Sequence, residues 1–500
     1  MGYFPFQGAK TETDKLNEII VAGAKTGITQ KKMLEKEIAK FKLSSERDWM
    51  LKGENYYSGE QDILIRKRMV IGANGELEEA PNLPNNKRLD NQYSILVDQK
   101  VNYLLAKPLT VETENEEYQK VLKEVFNRRF HRTLRNMGES SLNNGICWLF
   151  PHYNEHSEFT FKRIPGYEIL PFWKDSEHTI LDYAVRIYTV KQYEGDKDVE
   201  TERVEIYTTQ GIERYILDDG NLVPDVELGE ISDYITIKQG EKSQGYNWER
   251  VPLVPFKYNH KELPLIKRVK SLQDGINEIL SDFDNNMKED ARNTILVLHN
   301  YDGQNLGEFR RNLSQYGAVK VRSADGSKGG VDTLTVEVNS TNYESILSLF
   351  KKALIQNGRG YDAKDERMGN NPNQMNIQSM YLDIDLDANA IETEYQASFE
   401  DLLWFINKHL SLTKKGDFEN EEVNVIFNRD ILINETEVIE SLSKSTDLSI
   451  ETRIAQHPYV KDVQLELKRL KKERKEEQKQ FDAYNSNFPG QSGGGVDVKE

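Results

Sequence analysis

The chain has 500 residues, 37% hydrophobic and 30% charged, with a formal net charge of −17. That length supports a large core and more than one domain, while the polar balance favours a multi-part shape over a single compact globule. The acidic balance excludes a bulk electrostatic grip on nucleic acid, and the single cysteine, Cys147, excludes an intrachain disulfide.

Residues 13–43 carry helical spacing, interrupted by AKTG at 24–27, and 44–71 read as further helix ending in a basic cluster. The Pro- and Asn-dense stretch 72–88 is a connection. Helical spacing resumes over 91–106 through Tyr93, Leu96, Val97, Val101 and Leu104, and Pro108 stops it. From Leu142 to Ile237 the pattern turns to β: CWLFPHY, EFTFKRI, YAVRIYTV, VEIYTT and IERYIL are short, β-branched and aromatic, with turns between them. They predict an antiparallel sheet region, closed by RVPLVPFKYN at 250–259, whose prolines suit an edge strand. Cys147, in the apolar run GICWLF, reads as a buried and inert thiol.

From Glu262 to Arg292 apolar residues recur at Leu265, Val269, Leu272, Ile276, Ile279, Phe283 and Met287, one narrow stripe on a long helix. A small α/β insert follows at 293–339, with strands TILVLHNY, AVKVRS and VDTLTVEV and a helix over 305–316. A second helix starts at Thr341, which forms a capping box with Glu344, and its apolar face is Ile346, Leu347, Phe350, Ala353 and Leu354. Next comes NGRGYDAKDERMGNNPNQMN, Asn357–Asn376, a polar stretch of about twenty residues, long enough for a functional loop or disorder. Ile377–Leu412 is helical again, EEVNVIFNR is a short β stretch, and 435–483 is helical with a strongly charged end. Residues 484–500 read as a flexible Gly/Ser-rich tail. Two antiparallel helices, 262–292 and 341–356, thus form a stalk carrying a small globule.

Catalytic signals are absent from the sequence. AGAKTG at 22–27 has Ala24 where a phosphate-binding loop needs glycine before its lysine, and Ile19 where the earlier glycine belongs. His152 and His156 are a close pair but fall in a turn, and no HExxH or Cys pair accompanies them. DIDLDANAIETE, 383–394, mimics a calcium loop, yet Ala388 stands where that loop requires glycine. The competing reading is a helix with Asp383, Asp387 and Glu394 on one acidic face. No cofactor motif is present. No run approaches 18 apolar residues, so no membrane span is expected. The N-terminal MGYFPFQGAK lacks a signal-peptide core, and Phe6 breaks the myristoylation pattern.

Several segments in order carry a family resemblance. LKGENYYSGEQDILIRKR and NNKRLDNQYSILVDQKVNYLLAKPLTV resemble an N-terminal signature, YNWERVPLVPF a sheet-closing segment, HNYDG, AVKV and GGVDTLTVEV a small distal domain, and IETRIAQHPYVKD the start of a terminal helical domain. Together they resemble the portal (connector) proteins of tailed double-stranded-DNA bacteriophages, of the long-tailed Gram-positive-phage type. The resemblance implies an α+β portal fold assembled as a ring, usually of twelve subunits, around a DNA channel. Wing (1–261, β-rich over 142–260), outgoing stem helix (262–292), clip (293–339), returning stem helix (340–356), tunnel loop (357–376), channel-proximal helix and wing return (377–434), crown (435–483) and tail (484–500) would follow.

By position, the resemblance implies a channel loop with Asn357, Gly358, Arg359, Gly360, Lys364, Arg367, Asn370, Asn371, Asn373 and Asn376, in which Gly358 and Gly360 supply hinge freedom. Asp383, Asp387 and Glu394 either face the channel or pair with neighbouring Lys or Arg. Arg310, Arg311, Lys320, Arg322 and Lys328 in the clip would dock an acidic partner, touch DNA, or simply face solvent. The implied role is non-enzymatic: a virion component at the capsid vertex, assembled in the host cytoplasm. Its implied partners are further copies of itself, double-stranded DNA, the terminase large subunit, a head-completion adaptor, and the major capsid and scaffolding proteins. Two readings from other classes remain. One is a non-ring coiled-coil scaffolding or adaptor protein; the other is a metal-dependent nucleic-acid enzyme built on 383–394.

Overall fold

The computed structural model describes residues 27–71, 75–81, 83–194, 197–239, 242–290, 294–299, 305, 307, 330–335, 340–362, 374–429, 435–445, 447–460 and 463–486. The chain divides into two compact units, Met1–Tyr361 with Asp383–Asp430, and Asp362–Leu382 with Ile431–Glu500. Arg310, Arg311, Lys320, Arg322, Lys328, Lys364, Arg367, Asn370, Asn371 and Asn373 lie outside the described residues, as do strand AVKVRS and all of the expected helix at 305–316 except residues 305 and 307.

In the first unit, α1 (Gly27–Lys42) and α2 (Ser45–Ser58) come first. Ser44 caps α2 by accepting from the Arg47 N–H, and Gly59 ends it at φ +91°. The single helix expected over 44–71 is therefore cut short. A 3-10 turn at Asp62–Ile65 follows, and β1 (Met69–Ile71), at the end of that expected helix, pairs antiparallel with β2 (Leu77–Glu79), inside the expected connection. α3 (Gln92–Leu105) falls where the spacing put it. After β3 (Thr110–Glu112), α4 (Glu116–Val125) and α5 (Arg128–Asn144) occupy a stretch that the sequence reading left unassigned. Asn115 and Asn127 cap them, each accepting two backbone N–H bonds, and those caps were the available signal. α5 crosses α2 so closely that a Cβ on Gly53 would lie 2.0 Å from the Asn143 carbonyl oxygen.

The β region comprises β4 (Ile146–Tyr153), β5 (Phe159–Pro165), β6 (Ile169–Trp173), β7 (Leu181–Glu194), β8 (Lys197–Thr208), β9 (Gly211–Asp218), β10 (Asn221–Pro224), β11 (Ile231–Ser232), β12 (Ile235–Gln239), β13 (Lys242–Tyr246) and β14 (Val254–Lys257). It forms two main sheets instead of one. One runs β14-β4-β5 and the other β10-β9-β8-β7-β6, with β11 on β9; β12 and β13 form a separate two-stranded pair. The split comes at Gly166–Glu168, a 3-10 turn that redirects the chain between β5 and β6. Strand alternation serves two cores. Ala184 and Tyr207 face Trp148 and Trp173, while Val185, Ile187, Val204 and Ile206 face Ile38 and Phe41 of α1. β14 is an edge strand, as its prolines suggested, and Phe256 sits opposite Cys147. Cys147 is fully buried and burial pushes its thiol up to about 12.

α6 (Ile266–Asp290) is the long helix, 25 residues or about 37 Å. β15 (Thr294–His299) and β16 (Gly330–Thr335) form an antiparallel pair, and α7 (Ser340–Asn357) returns along α6. Tyr343 lies against Phe283 of α6 and accepts from Asn286 Nδ2 at 2.9 Å, and Phe350 meets Gly275. α8 (Gln374–Leu412) is one helix of 39 residues, so 383–394 has helical geometry and not that of a calcium loop. β17 (Asn424–Ile426) pairs with β3. The second unit holds the first turns of α8 and, further along, α9 (Glu435–Lys444), α10 (Ile450–Ala455) and α11 (Val463–Ser486). Among the described residues no helix is long and apolar enough to cross a membrane.

α6 buries a stripe that hydrophobic spacing does not reveal. Gln273, Asn277, Ser281 and Asn285, four residues apart, are all at most 1% exposed. Each accepts from the backbone of the strap 86–93: Tyr93 N to Gln273 Oε1 at 3.0 Å, Asp90 N to Asn277 Oδ1 at 2.9 Å, Arg88 N to Ser281 Oγ at 2.9 Å, and Asn86 N to Asn285 Oδ1 at 2.7 Å. Four helical residues rise about 6 Å and two extended residues about 6.6 Å, so the rungs match from 86 to 90. Asn277 Nδ2 also donates to Gln61 at 2.6 Å, and Gln61 to the Tyr56 carbonyl at 3.0 Å. Replacing Asn277 with Leu should destabilise by about 1–3 kcal/mol, the cost of orphaning the buried Gln61 side-chain oxygen, with the part-buried Asp90 N–H also losing its partner. Glu278→Ala, one residue along on the exposed side, should stay within about 0.5 kcal/mol. Denaturant unfolding of both variants checks the contrast.

Candidate functional site

The polar loop is rooted at the C-terminus of α7. Gly360 N donates to Ile355 O at 2.9 Å and Arg359 N to Gln356 O at 3.1 Å, the paired bonds of a Schellman cap. The left-handed position of that cap usually holds glycine, yet here it holds Arg359, at φ +52°. Gly358 and Gly360 are pressed against α3. A Cβ on Gly358 would lie 2.2 Å from Leu96 Cδ2, and one on Gly360 2.5 Å from Leu96 Cδ1. These glycines therefore permit close packing, which corrects the expectation that they act as hinges. Gln99 fixes the next residue, donating to Tyr361 O at 2.8 Å and accepting from its N–H at 3.3 Å. Asn357 belongs to the last turn of α7 and Asn376 to the first turn of α8, so neither lies in the loop proper.

A buried ionic centre sits beside this root. Lys100 Nζ of α3 lies 2.6 Å from Asp387 Oδ2 of α8 and donates to the Arg359 carbonyl at 3.0 Å. Tyr258 OH donates to Asp387 at 2.9 Å, Arg268 of α6 approaches it at 3.3 Å, and the Arg359 guanidinium lies 3.6 Å away. The Lys100 and Asp387 side chains are 1% and 4% exposed. Burial pushes the Asp387 carboxyl up, but Lys100, Tyr258 and Arg268 together outweigh it and hold its pKa below the usual carboxylate value. Burial draws the Lys100 ammonium down, with Asp387 opposing.

The acidic face expected of α8 is thus divided. Asp387 points into the ion-pair centre and cannot line an open channel, because removing it from its three cations would leave a buried charge unpaired. Asp383 is exposed and Glu394 half-buried. Two acids outside that expected face are also engaged. Asp385 accepts from Tyr103 OH at 2.9 Å and pairs with Arg429, which also meets Glu392 at 2.7 Å. Among the described residues no group of three or more His, Cys, Asp or Glu is placed to hold a metal. What the centre can do is mechanical: it ties α3, α6, α8 and the loop root to one carboxylate.

Lys100→Met should destabilise the protein by about 3–5 kcal/mol, because Asp387 is left buried without its closest cation. Adding Asp387→Leu should restore much of that loss, which a double-mutant cycle in denaturant measures. The carboxyl titrates below its unfolded value of 3.8, so its stabilising contribution is complete above about pH 4 and is lost as pH falls through the folded value. Asp387→Asn should remove that part of the acid-side loss in thermal melts.

The family model for phage portal proteins of the SPP1 Gp6-like type matches residues 40–480. The portal protein of Bacillus phage SPP1 is 30% identical over 496 residues, covering 98% of this chain and 95% of that protein. The portal protein of Clostridium phage phiCD119 is 26% identical over 459 residues, covering 89% of this chain and 96% of its own. The chain belongs to the SPP1 Gp6-like family of phage portal proteins, structural components of the virion and not enzymes.

Proposed function

We propose that copies of this chain assemble into a ring, of twelve in the usual family arrangement, at one vertex of the capsid. DNA enters and leaves through its channel, the terminase large subunit docks there during packaging, and a head-completion adaptor joins it to the tail. Major capsid and scaffolding proteins surround it while the head assembles in the host cytoplasm. The observation that carries this reading is the family match over residues 40–480. The antiparallel α6–α7 pair suits a stem, β15–β16 suit the base of a clip carrying Arg310, Arg311, Lys320, Arg322 and Lys328, and α9–α11 suit a crown.

The charge fits passage without capture. Each neutralised phosphate adds affinity through counterion release, so a conduit benefits from few cations. Twelve chains at −17 each carry about −200. In this reading Asp383 lines the path. The residues beyond the root, with Lys364 and Arg367 among them, reach toward DNA and make weak, sequence-blind phosphate contacts. The fixed root at 358–361 would set where that reach begins.

Light scattering and negative-stain images of the purified chain test the ring: a stable monomer under every condition would overturn it. Deleting 363–372 spares the docked root. It should leave ring assembly intact and sharply lower the yield of DNA-filled heads. Normal filling would reduce the loop to a connector.

A further inference from the structure

We infer that the outward arginine stripe of α5 is a second contact surface for duplex DNA, separate from the channel loop. Arg128, Arg129, Arg132 and Arg135 crowd the start of this helix, and all of them are exposed. At about 100° per residue, Arg128, Arg132 and Arg135 fall within about 60° of one another. The buried Phe130, Leu134 and Met137 centre about 160° away, so the stripe faces away from the residues that α5 packs on. From Arg128 to Arg135 the helix advances about 10 Å. A duplex presents about six charges over that length.

The placement works against the helix. A first turn favours acids, because the backbone dipole leaves positive charge there, and like charges four residues apart repel. α2 opens with Glu46 and Asp48 and α4 with Glu116 and Glu117, whereas α5 opens with Arg128 and Arg129 and no acid. Nor does the chain neutralise the cluster. Among the described residues no ion pair engages these arginines, and Arg135 donates to the uncharged Asn102 at 2.7 Å. Glu139, the next position of the stripe, is half-buried and held chiefly by Arg163 and Tyr57, with Arg135 a weaker neighbour. Glu124 and Glu158 share a cleft with Arg129 and Lys415, which the other three arginines do not line. In a chain of net charge −17, such a cluster calls for an anion from outside. A docking protein would use an apolar centre, yet among the described residues no large apolar side chain of α4 or α5 is exposed. A phosphate backbone needs none. The choice of DNA among polyanions rests on the portal reading above.

Filter binding of the full chain to covalently closed circular duplex DNA tests the stripe, because a circle cannot thread a closed ring and channel contacts drop out. Wild-type protein should bind at about 50 mM salt, with log affinity falling against log salt by about 0.9 for each phosphate neutralised. Arg128→Ala, Arg132→Ala and Arg135→Ala together should cut that affinity about tenfold or more and flatten the slope by about 2–3. The corresponding lysine variants should keep most of the binding, since phosphate also accepts a point charge. Lys471→Ala, Lys472→Ala and Lys475→Ala remove the same charge from exposed positions of α11 and should change affinity by less than about twofold. Equal losses from the two alanine sets would mean that only net charge matters, and would overturn the site. Wild-type protein that leaves the circle free at this salt overturns it and leaves the ring reading standing. An arginine-to-alanine variant that binds the circle normally but no longer assembles assigns the stripe to a neighbouring copy and overturns it too. The alanine set should not lower the melting temperature, because it relieves repulsion at the helix start; a clear fall would mean that the arginines serve the fold, against this inference.

Discussion

A carboxylate removed from water has to keep its cations, and much of the first unit is arranged around that requirement at Asp387. Three positive side chains reach it from α3, α6 and the left-handed turn after α7, and Tyr258 supplies a hydroxyl. Such a cluster adds little net stability over an apolar plug, but it cannot tolerate displacement of any one partner. It therefore fixes geometry. Arg359 illustrates the cost: a residue with a side chain accepts a backbone region that disfavours it, and its guanidinium gains the Asp387 contact.

The sequence conveyed architecture better than it conveyed the site. α3, α6, α7 and α8 followed from apolar spacing, and the edge position of β14 followed from its prolines. What stayed hidden is polar. Gln273, Asn277, Ser281 and Asn285 read as a solvated helix face, because burial by hydrogen bonding to a distant backbone leaves no periodic apolar mark. Asp387 and Lys100 are 287 residues apart in the chain, and only tertiary structure joins them. The glycines at 358 and 360 announced a special backbone, but close approach and freedom look alike in sequence. On α7 the expected apolar face included Ile346, which instead points away from the inward residues.

These features give α6 an unusual position. It is a helix with two partnered flanks of opposite character, a hydrogen-bonded strap on one and an apolar and aromatic helix contact on the other. Near its start, Arg268 enters the ionic centre, so the same helix reports to the loop root. In the proposed ring, where the chain would hold its shape while DNA passes, such redundancy is an advantage.

The strap along α6 has a directional strength. Its four rungs lie side by side along the helix, so a pull parallel to α6 strains all of them together, whereas a pull outward at one end opens them singly. The same bonds are thus stiff against sliding and weak against peeling. Thrust along the helix is carried as shear, and disassembly would start from an end.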